Sequence, residues 1–192
     1  MSPYLPVTAE QMITQSVDAA KAGAAILHFH ARDPKDGRPT NDPAVWQSFL
    51  PAIRAQCDAV INMSCSMGAT AEDRASSAMV MRPEIATVIV GSMNYGRFKK
   101  AQDQGVTEFK HEWKREFYGP DSHHLVTQNT FFKIERLIDI FLEQGFLMEF
   151  LEHHLKTRKL PRPIIVQFLT GILGGIPSDI DHLHLHPWHR PR

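Results

Sequence analysis

The sequence predicts an α/β protein built on a parallel sheet. Three observations carry that expectation. Capped helical segments alternate with short apolar runs, the pattern of strands joined by helical crossovers. The runs at 24–30, 59–64, 86–91 and 164–169 are of strand length and near-continuously apolar, as strands covered on both faces are. Polar residues with chemical capacity (His28, His30, Ser64 and Thr87) stand at or near the ends of these runs. Periodicity leaves open whether the sheet is doubly wound or closed into a barrel. In both, the working groups gather at the carboxyl ends of the strands.

Each element has a local reason. Thr8 and Gln11 form a capping box that opens a helix through Met12, Val17 and Ala20, and Gly23 is placed to end it. The breaker-rich stretch 31–39 follows the first strand as a loop. Asp42 caps a helix with Pro43 at its first position, predicted to continue through Phe49, Leu50 and Ile53. The second strand follows at 59–64, then a short helix over 71–79 and the third strand at 86–91. Residues 97–128 read as a long loop with some helix. Asn129 or Thr130 opens a strongly amphipathic helix with Ile134, Leu137, Ile138 and Phe141 on one face.

The bulk numbers exclude several classes. With 21 basic and 21 acidic residues the formal net charge is zero, so nothing points to nucleic acid. No apolar run is long enough to span a bilayer, so no membrane partner is expected. The first residues lack the basic start and apolar core of a secretion signal. The two cysteines, Cys57 and Cys65, have neither metal-ligand spacing nor a disulfide framework, which suits a reducing, cytoplasmic compartment. A doubly wound nucleotide-binding protein needs a Gly-x-Gly-x-x-Gly turn after its first strand, and none is present.

The chemistry centres on His28 and His30. Two residues apart on one strand, both imidazoles point to the same side. Two neutral imidazoles at a strand end make half of a zinc site, which needs a further ligand and an open position, or else they are two histidines packed in a core or at a loop edge. Arg32 offers a guanidinium to a substrate carboxylate, or a surface ion pair in its loop. Asp33 is placed to orient a ligand histidine from behind. Ser64, beside Asn62, could bond a carboxylate or enolate oxygen. Cys65 reads as a packed, inert thiol. Gly171, Gly174 and Gly175 either admit a phosphate or only end a strand. His182, His184, His186 and His189 read as an irregular tail over 181–192, after a domain covering 1–180.

These residues together resemble the β-keto acid cleavage enzyme family, which includes 3-keto-5-aminohexanoate cleavage enzyme. The resemblance rests on Ser2-Pro3-Tyr4-Leu5-Pro6-Val7-Thr8, on the stretch from Gly23 through His28-Phe29-His30-Ala31-Arg32-Asp33-Pro34, and on Asp36-Gly37-Arg38-Pro39. It continues in Arg82-Pro83-Glu84-Ile85-Ala86-Thr87, Gly91-Ser92-Met93-Asn94-Tyr95-Gly96, Asn129-Thr130-Phe131, Ile134-Glu135, Gln167-Phe168 and Gly171-Ile172-Leu173-Gly174-Gly175-Ile176. It implies a (β/α)₈ barrel of the TIM type and a divalent metal, usually zinc. It implies reaction of a β-keto acid with acetyl-CoA to give acetoacetate and a new acyl-CoA by Claisen and retro-Claisen chemistry. The metal ligands it implies fall on His28 and His30. Substrate contacts fall on Ser64 and Thr87, and Met148-Glu149-Phe150 matches part of an acidic strand, making Glu149 the catalytic candidate. Full-length relatives are expected to be homo-oligomers.

The family pattern also begins before Pro3 and runs beyond Ile176. The first strand and the last two, with the third metal ligand, have no counterpart here. The expectation is an incomplete barrel, inactive as an isolated chain. The competing readings are another metal-dependent barrel enzyme, such as a hydrolase, and a non-catalytic remnant that binds a partner.

Overall fold

The computed structural model describes residues 4–94, 96–144 and 147–148. Its described residues divide into two compact units, one formed by those up to Val90 with those from Thr130 onward and the other by those between Gly91 and Asn129.

The first unit is a parallel α/β layer. Helix α1 (Ala9–Lys21) opens with the expected capping box, in which Thr8 accepts the Gln11 backbone N–H and the Gln11 side chain returns to the Thr8 N–H. It ends before Gly23, whose φ of +102° lets the chain turn. Strand β1 (Ile26–Phe29) follows. The single helix expected after Asp42 is two, α2 (Pro43–Gln47) and α3 (Leu50–Arg54). Pro51 explains the correction, since it has no N–H to offer the Gln47 carbonyl and its ring crowds that same carbonyl. Strand β2 (Val60–Ser64) and helix α4 (Ala71–Met81) come next, the helix entered through a second capping box between Thr70 and Asp73.

Strand β3 (Ile85–Thr87) is shorter and begins one residue earlier than the expected 86–91. Its partner sets its length. The last rung of β2 pairs Ser64 with Thr87, and one more bond runs from the Cys65 N–H to the Thr87 carbonyl before β2 turns away.

The second unit includes helices α5 (Arg97–Asp103) and α6 (Glu112–Tyr118) and a 3₁₀ turn (Pro120–His124). The segment read as a long loop with some helix thus carries two short helices and a 3₁₀ turn. Back in the first unit, α7 (Phe131–Gln144) has the predicted start, with Thr130 Oγ1 accepting the Lys133 N–H at 3.3 Å. It leads to β4 (Leu147–Met148). The expected strand at 164–169 lies outside the described residues.

The strands lie in the order β1-β2-β3-β4, all parallel. Among the described strands, chain order and spatial order coincide, without the reversal of a doubly wound sheet. One face is apolar and covered. Leu27, Phe29, Ala31, Ile61 and Met63 pack with Met12, Trp46, Phe49, Leu50, Ile53 and Met81. Cys65, Ala86 and Val88 pack with the alanines of α4 and with Ile134, Leu137, Ile138, Ile140 and Phe141 of α7. The period of two then sends the alternate residues, Ile26, His28, Asn62, Ser64, Ile85 and Thr87, to the opposite face.

Candidate active site at the strand ends

The pairing register assembles that second face. His28 stands opposite Asn62, and Ser64 opposite Thr87. His30 follows two positions after His28 and shares its side, as the spacing predicted. Their Nε2 atoms lie 3.2 Å apart, with the rings edge to face at 5.0 Å between centroids. Without an ion, that distance suits one N–H shared between two neutral imidazoles. It also suits a metal: two nitrogens about 2.05 Å from a tetrahedral zinc stand roughly 3.3 Å apart. Among the described residues no group of three or more histidine, cysteine or acidic side chains converges.

Both rings favour the neutral, ligating form. Desolvation holds His28 below the usual imidazole value, against a raising contribution from a hydrogen bond with the Asn62 side chain. Desolvation lowers His30 to about 4, helped by the nearby charges of His28 and Arg32. The outer edges of both residues face solvent.

A stability prediction follows for the metal-free protein. Above about pH 6.5 His30 is neutral both folded and unfolded. Below that value the unfolded chain takes the proton first, so stability falls as pH drops and this contribution levels off below about 4. Urea midpoints measured with a chelator present, between pH 7 and 4.5, should fall further for the native chain than for His30→Asn. Parallel curves would show that His30 protonates freely in the folded state.

Asn62 and Ser64 are buried, at 5% and 7% exposure, so their polar groups need partners. Thr87 Oγ1 donates to Asn62 Oδ1 at 2.6 Å. The Ser64 and Ser66 hydroxyls share a hydrogen bond at 2.9 Å. Ser66 was missed in the sequence reading. Its signal was there: 62, 64 and 66 are three polar residues at strand spacing, with the last just past the strand end. The loop beyond is pinned from several sides. Arg74 Nε donates to the Gly68 carbonyl at 3.1 Å, and the Asn41 amide donates to the carbonyls of Met67 and Asp73. Gly68, at φ +127°, has no room for a side chain, because a Cβ would fall 2.7 Å from that of Asp73.

The remaining candidates are placed as follows. Arg32 Nη1 donates to the Gly37 carbonyl at 3.0 Å, and Arg32 bridges Pro39, so it closes the loop after β1 beside His30. Asp33 accepts the Lys35 N–H at 2.9 Å, shaping that same loop. Cys65 is buried and its thiol is pushed up to about 12 by desolvation, which makes it inert as a nucleophile. Glu149, the 171–175 glycines and His182, His184, His186 and His189 lie outside the described residues. The second unit holds a cavity of about 560 Å³ among Arg97, Glu112, Arg115, Phe117 and His124. Within it Arg115 pairs with Glu112 at 3.7 Å and Arg97 lies over the Phe117 ring.

No helix among the described residues is long and apolar enough to cross a membrane. Comparison with known proteins adds the following. A model of the family described as beta-keto acid cleavage enzyme matches residues 1–191. The 3,5-dioxohexanoate:acetyl-CoA acetone transferase of Paraburkholderia graminis is 42% identical over 95% of this chain and 63% of its own length. The 3-dehydrocarnitine:acetyl-CoA trimethylamine transferase of Rhizobium meliloti is 26% identical over 94% of this chain and 62% of its own. The chain thus spans a little over three fifths of the length of these curated relatives. A solved ternary complex of ObcA with a C4-CoA adduct and oxalate covers 77% of this chain and 31% of its own, at 19% identity and a TM-score of 0.49.

Proposed function

This chain belongs to the β-keto acid cleavage enzyme family, and on that premise we propose that its polar sheet face is the substrate and metal face of a (β/α) barrel-type enzyme. The reaction is the exchange R–CO–CH₂–COO⁻ plus acetyl-CoA to acetoacetate plus R–CO–CoA. The bond between the acyl carbon and the α-carbon of the keto acid breaks, the acyl group passes to the CoA sulfur, and the acetyl group joins the carboxymethyl fragment. The sequential strand order with helices on one face supports the barrel reading, in which the polar face becomes the interior.

The observation that carries the proposal is the 3.2 Å approach of the His28 and His30 Nε2 atoms beside a row of hydrogen-bonding groups. His28 and His30 would hold a divalent zinc ion. When bound, such an ion supplies a Lewis acid for a keto oxygen. The chain's own groups do the rest of the positioning. The Ser64 and Ser66 hydroxyls offer donors to a substrate carboxylate, and the pair has one proton to spare once their mutual bond is made. Thr87 is anchored by its bond to Asn62, which takes its hydroxyl proton and leaves its oxygen lone pairs as acceptors. Arg32, tied back to Gly37, keeps a positive charge near His30 and favours an anionic substrate over a neutral one.

The test is zinc content and acetoacetate formation by the purified chain, with 3,5-dioxohexanoate as the first keto acid because it is named for a relative at 42% identity. Zinc bound in one equivalent, with keto acid protecting the chain from thermal unfolding, supports the reading. A chain that takes up neither zinc nor keto acid overturns it. Robust acetoacetate formation would in addition overturn the expectation that the chain is inactive on its own.

A further inference from the structure

We infer that Asn41 is a positioning residue, whose side-chain amide fastens the loop after β2, which carries Ser66, to the loop after β1, which carries Arg32, and so sets the preference of the polar face for a carboxylate. This inference rests on the reading of that face as a keto-acid site given above.

Asn41 stands on a fixed base. The Thr40 N–H donates to the Ala31 carbonyl at 3.0 Å, closing the loop after β1, and Asp42 caps α2 by accepting the Ala44 N–H at 2.9 Å. From that base the Asn41 amide nitrogen uses both of its N–H groups on main-chain carbonyls, those of Met67 and, at 2.7 Å, Asp73. The Asn41 carbonyl in turn accepts the hydroxyl of Ser77, a residue of α4 that is 2% exposed. One residue thus joins the loop after β1, the loop after β2 and the first turns of α4. Met67 directly follows Ser66, so holding its carbonyl restricts the backbone that aims the Ser66 hydroxyl. Ser64 is buried and Ser66 half-buried, which makes Ser66 the better placed of the pair to present the spare proton. Without the Asn41 amide, the loop keeps the bond from Arg74 to the Gly68 carbonyl, beyond Ser66 and Met67. Arg32 is tied into its own loop through Gly37 and Pro39, just ahead of Asn41. A donor on one loop and a cation on the other therefore share one clamp. Groups fixed before the ligand arrives lose less freedom on binding it, so a clamped pair recognises a carboxylate better than a mobile one.

The experiment measures the affinity of the full chain for acetoacetate and for its methyl ester, by titrations followed in the protein's amide spectra. The ester keeps the β-dicarbonyl and lacks the charge. The native chain is expected to prefer the acid by about tenfold, the worth of a hydrogen bond to a charged group. Asn41→Ala should weaken binding of the acid alone and bring the two affinities within about threefold. Asn41→Leu keeps the bulk without a donor and should do the same. Ser66→Ala should lose the same part of the preference. Asn41→Ala combined with Ser66→Ala should lose no more than Ser66→Ala alone, because one residue acts through the other. Amide exchange at Ser66, Met67 and Gly68 should quicken about 5–10-fold in Asn41→Ala, as the loop opens more often without its bond. Ser77→Ala removes only the bond to the Asn41 carbonyl and should move the preference the same way by a smaller amount, a second route if the Asn41 variants fail to fold. The inference is overturned if Asn41→Ala or Asn41→Leu keeps the native preference, if acid and ester weaken alike, or if the losses at Asn41 and Ser66 add. A native chain that binds neither compound, or both equally, overturns the reading of the polar face instead, and the exchange rates still decide the clamp.

Discussion

His30→Ala is expected to weaken the proposed zinc binding by at least about 100-fold. The magnitude comes from the share one ligand contributes. A full structural site binds zinc with about 10–16 kcal/mol, so one ligand of four accounts for roughly 3–4 kcal/mol, a factor of some hundreds. The two nitrogens stand 3.2 Å apart, close to the separation tetrahedral coordination requires, so losing either imidazole leaves a single tether instead of a chelate. His28→Ala should behave alike. His124→Ala, in the second unit, should leave zinc affinity unchanged and so controls for non-specific binding by a chain with eleven histidines. Competition titration with a chelator of known affinity is the measurement. Equal affinities for the native chain and His30→Ala would place the metal elsewhere and dissolve the site.

That site was legible in part, and the boundary between the legible and hidden parts is physical. A strand has period two, so His28 and His30 were bound to share a face whatever the strand paired with. Local capping is also a short-range matter, which is why Thr8 with Gln11 and Asp42 with Pro43 were readable directly. Register is not local. That Asn62 falls opposite His28 and bonds Thr87 depends on how β1, β2 and β3 slide against one another, and nothing in the individual runs sets that. The length of β3 was misjudged for the same reason, since β2 departs after Ser64 and leaves Val88 onward without a ladder. The broken helix at Pro51 is a different kind of miss. The signal was local, and the apolar spacing of Phe49, Leu50 and Ile53 was allowed to outweigh it. All three residues are buried, so the apolar pattern was correctly assigned to the core even though the helix was not continuous. The single covered face was equally inaccessible beforehand: repeated helix and strand allow either a reversal of strand order or none, and only the pairing of β1 to β4 shows that the described strands have none.

Phe141→Ala should cost about 3–5 kcal/mol of stability, the range for emptying a fully enclosed aromatic site. Phe141 has no measurable exposure and belongs to the cluster in which α7 meets α4 and the covered side of the sheet, with Ala75, Ala78, Ala86 and Ile138 around it. The neighbours explain why the loss is large. Alanines on α4 bring the helices close, and a packed backbone cannot collapse into the void left by a phenyl ring, so the cavity persists. The same helix supplies its own control. Phe132, nine positions earlier, is 80% exposed, and Phe132→Ala should change stability by no more than about 0.5 kcal/mol. Urea unfolding of both variants, with the slope checked for constancy, separates burial from hydrophobicity as such. If the two substitutions cost the same, α7 is not seated as described. The consequence would reach the site, because α7 packs over the strands whose other face carries Asn62, Ser64 and Thr87, and β4 follows directly from its end. A loss confined to Phe141→Ala would tie the predicted amphipathic face of α7 to the layer that holds the polar face in place.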